Sequence, residues 1–167
     1  MFERQFLDNV VTQLAKLKDR TDKAIAQVDD RQFSATIDAD ANSIALIMKH
    51  VAGNMRSRWT DFLTTDGEKP ARNRDGEFEA GDGDTRQAVT TAWHHGWDLT
   101  LNTLRALTPD DLQKNVHIRG EVLSVVDAIH RQLVHYAEHA GQIILLAKHH
   151  AGPRWQTLSI PKKRRSG

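Results

Sequence analysis

The sequence contains no cysteine, only one tyrosine and no excess of charge of either sign. Without cysteine the chain can form neither a disulfide nor a thiolate metal site. Lys and Arg number 23 against 22 Asp and Glu, whereas a protein that binds nucleic acid through its charge carries a clear basic excess. We therefore expect neither a disulfide-stabilised fold nor a nucleic-acid partner.

Long apolar runs are also missing. No run approaches the roughly 20 residues that a membrane-spanning helix needs, and the first residues, MFERQFLDNV, carry charges where a secretion signal has an apolar stretch. The sequence therefore predicts a cytoplasmic protein without a membrane partner. Its 167 residues, 39% of them hydrophobic, suit one domain over 1–167 with a sizeable core, and the basic tail at 159–167 is expected to be frayed.

Apolar residues recur at three- to four-residue steps, which predicts helices. Asn42 or Ser43 is expected to cap the second helix and Asp84 the third. No strand pattern is convincing, so VHIRGEV, before the last helix, is interpreted as a short extended piece. The predicted fold class is all-α, a four-helix bundle, with helices over about 2–28, 42–64, 84–107 and 121–150.

Two features interrupt this helical pattern. Gly53 lowers the helix propensity of the second helix, which indicates that another group approaches closely there. Residues 65–83, TDGEKPARNRDGEFEAGDG, are rich in Gly, Asn and charged residues and predict a long exposed loop. Loops of this length are often functional or mobile.

Nine histidines are well above ordinary usage, and imidazole is the commonest metal ligand in proteins. His135 and His139 stand four residues apart in HYAEH, so they lie one turn apart on one helix face and can share an ion. Chance alone gives about half such a pair among nine histidines, and a lone histidine on an apolar face is usually a core or boundary residue. Two on one apolar face are costly to bury without partners. We therefore predict a metal site.

His50 is the best candidate for a third ligand, because it follows the apolar run IALIMK and has Gly53 one turn further on. Three neutral imidazoles leave at least one position on the ion open, which is the arrangement of catalytic rather than structural sites. Two weaker candidates for contacting a bound cofactor lie one turn beyond predicted ligands. They are Asn54, after His50, and Gln142, after His139.

The segment KHVAGNMRSRWTDFLTTDGEKPARNRDGEFE, followed far downstream by HYAEHAGQI, resembles the DinB-like superfamily, and within it the DUF1572 branch of small bacterial proteins. The first segment is specific to that branch, whereas the HxxxHxGQ pattern is shared across the superfamily. The resemblance implies a four-helix bundle with an up-down-down-up path, often a homodimer. It also implies a zinc or nickel site on His50, His135 and His139.

Similarity to characterised members of that superfamily implies a thiol-S-transferase that uses a low-molecular-weight thiol and a small-molecule electrophile. Because the chain has no cysteine, the sulfur would have to come from the cosubstrate. Fold and metal site do not fix a reaction, so two alternatives stay open. One is a non-catalytic metal-binding or stress-response protein, and the other is a metal-dependent hydrolase that activates water.

Overall fold

The computed structural model describes residues 2–160 and is mostly helical, so the predicted frayed tail falls almost wholly outside the described residues. None of the helices in that range combines the length and the apolar composition that a membrane crossing requires. Within residues 2–160, five α-helices, two strands and three 3₁₀ turns follow one another. They are α1 Phe2–Ile25, α2 Asp30–Ser34, α3 Ile44–Trp59, a turn at Asp75–Phe78, α4 Arg86–Ala106, a turn at Pro109–Gln113, β1 Asn115–Ile118, β2 Glu121–Ser124, α5 Val125–Ala151 and a turn at Gly152–Arg154.

All four predicted long helices are present, and their ends differ from prediction for local reasons. Ser43 caps α3 as expected, accepting a hydrogen bond from the Leu46 backbone N–H, whereas the predicted cap of α4 is wrong. Thr85 caps that helix, and the Asp84 carboxylate instead accepts a hydrogen bond from Lys49 Nζ at 2.7 Å. The link before α3 also contains the short helix α2, which the sequence analysis did not predict.

The prediction that the chain lacks strands is wrong, because residues 115–124 form a β-hairpin. Ile118 pairs with Glu121 at its closed end, and both turn residues, Arg119 and Gly120, have positive φ, 58° and 75°. Two-residue hairpin turns favour that conformation, but a non-glycine residue adopts it at a cost of about 1–2 kcal/mol. The Asp66 carboxylate accepts both turn N–H groups, at 2.9 and 2.7 Å, and so holds the turn in place.

The four long helices pack in a closed ring, since α1 and α3 each contact both α4 and α5. The apolar repeat of the third helix predicts an inner face, and all of its residues are buried: Val89, Trp93, Trp97, Thr100, Leu101 and Leu104. Two apolar residues of the predicted last helix, Val122 and Leu145, lie largely outside the core, at 58% and 66% exposed. Val122 belongs to β2, so the helical repeat begins only at α5, and its buried stripe runs through Ile129, Tyr136, Ile143 and Ala147.

Candidate metal site

The three histidines singled out from the sequence meet in space. His50 lies on α3, and His135 and His139 lie one turn apart on α5. The Nε2 atom of His135 is 3.4 Å from that of His50 and 3.1 Å from that of His139, and one ligand atom from each ring lies within 4.8 Å of the others. Two nitrogens bound at about 2.0–2.1 Å to a tetrahedral zinc are about 3.3 Å apart, so these spacings fit a shared ion.

Hydrogen bonds on the far side of two rings point their Nε2 atoms toward this centre. His50 Nδ1–H donates to Glu77 Oε2 at 2.9 Å, and His139 Nδ1–H donates to Gln142 Oε1 at 2.9 Å. A neutral imidazole that donates from Nδ1 keeps its lone pair on Nε2, where it can bind a metal. Gln142, which is exposed, therefore orients a predicted ligand.

Glu77 is a residue of the site that the sequence analysis missed. It lies in the predicted exposed loop, yet it is only 7% exposed. Arg72, whose side chain is 4% exposed, donates Nε to Glu77 Oε1 at 2.8 Å and Nη2 to Glu77 Oε2 at 2.7 Å. Burial alone would raise the pKa of Glu77, but the hydrogen bonds from Arg72 and His50 outweigh it and lower that pKa. The carboxylate is therefore charged and fixed when it meets His50.

The close approach predicted at Gly53 is made by this carboxylate. A Cβ atom added at Gly53 would lie 2.1 Å from Glu77 Oε1. Two such atoms cannot approach so closely without a steric clash. Phe78, the next residue, stacks on the His50 ring with centroids 4.5 Å apart. The only sequence signal for these contacts was the glycine itself, because charged residues in a glycine-rich segment ordinarily indicate solvent exposure.

His135 differs from the other two histidines, because its Nδ1 atom is buried without a hydrogen-bond partner. Burial, together with the charges of His139 and His50, lowers the pKa of His135 from 6.5 to about 3. Burial also lowers the pKa of His139. The His135 ring therefore stays neutral well below pH 7, and the lowered pKa of His139 favours the neutral form of that ring too, which is the protonation state that a metal ligand requires.

We expect the metal-free protein to lose stability as the pH falls from 7.5 to 5. The unfolded chain protonates His135 near pH 6.5, whereas the folded chain does so only near pH 3, so acid favours the unfolded state over that window. For this half-buried ring the loss at pH 5 is on the order of 1 kcal/mol. Urea unfolding with a chelator measures it, and His135→Gln should show a smaller loss. Equal stability of the native chain at both pH values would contradict the prediction.

Asn54 is buried beneath the imidazoles and belongs to a hydrogen-bonded chain. Trp59 Nε1 donates to Tyr136 Oη at 2.9 Å, and that hydroxyl donates to Asn54 Oδ1 at 3.2 Å. Because Tyr136 follows His135 directly, this series of hydrogen bonds fixes the part of α5 that carries the predicted metal ligand His135. Asn54 thus has a structural partner, and it also lines the cavity next to His50.

A cavity of about 540 Å³ adjoins the cluster and is lined by His50, Asn54 and His135. A larger cavity, of about 870 Å³, lies between α3, α4 and the loop. Among the described residues its lining includes Gly53 and Glu77 but none of the three imidazoles. The smaller cavity is therefore the one that gives a small molecule access to the Nε2 atoms.

Comparison with known proteins gives one family. The sequence matches, over residues 1–164, the family described as "Protein of unknown function (DUF1572)". No curated protein matches the chain.

Proposed function

Because the chain belongs to the DUF1572 family, whose description assigns no activity, we propose a function from the site and from the resemblance to the DinB-like superfamily. The protein is a metal-dependent enzyme that holds one divalent ion on His50, His135 and His139 and transfers a low-molecular-weight thiol to an electrophile. One observation carries the proposal: three imidazole Nε2 atoms converge beside a cavity that two of the rings line. Three imidazoles suit zinc or nickel.

Each residue of the cluster has a definite task in this proposal. The three imidazoles hold the ion as neutral ligands. Glu77 and Gln142 fix the tautomers of His50 and His139, and such outer contacts typically contribute a factor of 10–100 to metal affinity. When bound, the ion supplies a positive charge that lowers the pKa of a coordinated thiol, so that a thiolate exists at neutral pH.

An enzyme is favoured over a purely structural metal site by the ligand count. Structural zinc sites are closed by four protein ligands, whereas catalytic sites keep one position for water or substrate. Within residues 2–160 the cluster consists of three potential ligands, and the cavity begins at two of them. An ion held by these three imidazoles would have room for a small molecule from that cavity.

A hydrolase is the second candidate, because the lining of the cavity includes one carboxylate, that of Glu138. A carboxylate beside a catalytic metal can serve as the general base that takes a proton from water. Thiol transfer needs no such base once the thiolate has formed. Dependence of activity on Glu138 would therefore favour hydrolysis.

We also propose that α1, α3, α4 and α5 form the four-helix bundle of the DinB-like superfamily with its up-down-down-up path. The closed ring of helix contacts supports this assignment, as does the origin of the ligands on two helices that contact each other. The homodimer and the cytoplasmic location remain predictions.

Cobalt substitution tests the proposal. Cobalt(II) added to metal-free protein should give the visible bands of a low-coordinate site, and 2-mercaptoethanol should then add a near-ultraviolet sulfur-to-cobalt charge-transfer band. Ethylene glycol, which lacks the sulfur, is the matched control and should add none. Failure of the protein to bind cobalt would overturn the metal site. Cobalt binding without a response to the thiol would overturn thiol transfer and leave the hydrolase.

A further inference from the structure

The cavity beside the imidazoles has a strongly basic lining. Glu138 is the one acidic side chain among its described lining residues, and two of the arginines come from outside the helices that carry the histidines. Arginine presents five N–H donors in a planar fork that matches carboxylate and phosphate oxygens. The lining contains four arginines: Arg58, Arg74, Arg119 and Arg131.

Arg58 is buried with an unused donor. The residue is 5% exposed, and its Nε–H has no hydrogen-bond partner. Its Nη1 donates to the Gly67 carbonyl, and its Nη2 donates to Glu68 Oε2 at 3.0 Å. A buried donor left without a partner costs about 1–3 kcal/mol, which a ligand that accepts this hydrogen bond would recover.

Gln132 is a second buried side chain of the lining without a partner for one of its atoms. It is 3% exposed, lies one turn before His135 on α5, and its Oε1 atom accepts no hydrogen bond. Its carboxamide can turn either its oxygen or its NH₂ group toward a ligand. Two residues of the lining, Arg58 on α3 and Gln132 on α5, therefore each carry a buried polar atom without a partner.

Arg119 reaches the cavity from a backbone conformation that arginine seldom adopts. Its φ of 58° is held by the hydrogen bonds that Asp66 accepts from the hairpin turn. Strain of this kind persists where the surrounding structure fixes it, and it is often found at functional sites. The fixed turn directs the Arg119 side chain toward Glu68, to which its Nε donates at 3.0 Å.

The arginines of the lining are held in place by ion pairs. Glu68 is shared by three guanidinium groups, those of Arg58, Arg72 and Arg119. Arg74 pairs with Asp75 at 3.1 Å, and Arg131 pairs with Glu121 at 3.4 Å. In the lining of the cavity itself, four guanidinium groups accompany one carboxylate, so an anion that enters meets several fixed donors.

We propose that this cavity binds the anionic group, a carboxylate or a phosphate, of the small molecule that reacts at the imidazole cluster. The inference rests on the proposed function only in that the small molecule reacts at the imidazoles, because the arginines line the cavity whether or not a metal is bound. The enzyme's substrate or cosubstrate is therefore a small acid. Its anionic group and its reacting atom are close enough together for both to fit in this one cavity.

Calorimetric titration of the metal-free protein tests the arginines by themselves. Inorganic phosphate and acetate are titrated separately at constant ionic strength, and the stronger of the two identifies the oxyanion class. At least one should bind saturably, with a Kd of about 1 mM or below. Heats that do not saturate with either anion would overturn the inference.

The variant for this titration is Arg119→Gln combined with Arg131→Gln, since both side chains are partly exposed, at 53% and 43%. Hydrogen bonds to charged groups contribute enough that binding should weaken at least about tenfold. Arg105→Gln is the control, because Arg105 is exposed and lines a different cavity. Equal affinity in the double variant and the native chain would overturn the inference, and so would an equal loss in the control.

Zinc content separates this inference from the proposed function. The double variant should bind zinc as the native chain does, because neither arginine contacts an imidazole. If the native chain binds phosphate or acetate but not zinc, the metal-dependent function fails and the anion site stands. If the anion binds only after zinc is added, and does so equally in the double variant, the ion rather than the arginines binds it, and the inference fails alone.

Discussion

Replacing His135 with alanine is expected to reduce the zinc content from about one ion per chain to near zero. The variant leaves His50 and His139 on separate helices as two ligands, and the described residues offer no fourth His, Asp or Glu in the cluster. Loss of an orienting contact outside the ligand shell costs 10–100-fold in affinity, so loss of a ligand should cost more than about 100-fold. Metal analysis of both proteins after dialysis against zinc measures it.

Thermal unfolding provides a second measurement of the same change. Free zinc at a thousand times its Kd should stabilise the native chain by about 4 kcal/mol and raise its Tm, with no such shift in His135→Ala. Without metal the variant should remain folded, since His135 Nδ1 has no hydrogen bond to lose and the polar contacts of its Nε2 are with the other two imidazoles. His94→Ala is the matched control, because His94 is exposed on α4 and should leave zinc binding intact. Equal zinc content in His135→Ala and the native chain would refute the metal site.

Gly53→Ala should destabilise the protein and weaken metal binding, although alanine is the better helix former. The substitution gains about 1 kcal/mol of helix propensity. The new Cβ, however, would occupy the space of Glu77 Oε1, and Arg72 and His50 hold that carboxylate through three hydrogen bonds. Breaking a buried ion pair costs about 3–5 kcal/mol, so the net loss is about 2–4 kcal/mol. Urea unfolding of the metal-free protein measures it.

Metal affinity should fall about 10–100-fold in the same variant, because His50 loses the carboxylate that sets its tautomer. Gly141→Ala is the matched control. Gly141 lies on α5 close to His139, but a Cβ there meets nothing within 4 Å, so this variant should gain up to about 1 kcal/mol and bind zinc normally. Gly53→Ala with native stability and affinity would show that Glu77 does not orient His50.

The helices could be predicted from the sequence because their signal is local and long. Apolar periodicity over twenty or more residues outweighs local noise, as the buried face of α4 shows. The hairpin could not be predicted in the same way, since strands of four residues give at most two alternations. Val122 fits the helical repeat by chance. It was therefore predicted to lie in the last helix, whereas it belongs to β2.

The histidine cluster was predictable for a similar reason. His135 and His139 share a helix face by spacing alone, and the apolar surroundings of His50 indicated which further histidine was buried. Glu77 and Arg72 were not predictable, because their burial accompanies ion pairs with each other, with Glu68 and with His50, which are distant or irregularly spaced in the sequence. No periodicity encodes such a contact. Gly53 predicted that some group approaches the helix closely, but a glycine does not identify which group that is.

The segment that carries Glu77 also determines how distant parts of the molecule respond to the ion. Its Asp66 side chain holds the hairpin turn, and its Gly67 N–H donates to the His117 carbonyl at 2.8 Å. If ordering of this segment strengthens metal binding by a given free energy, metal binding must stabilise the ordered segment by the same free energy. Metal binding between α3 and α5 is thereby coupled to the rigidity of the hairpin that carries Arg119. The ion and the anionic substrate should therefore bind with positive cooperativity.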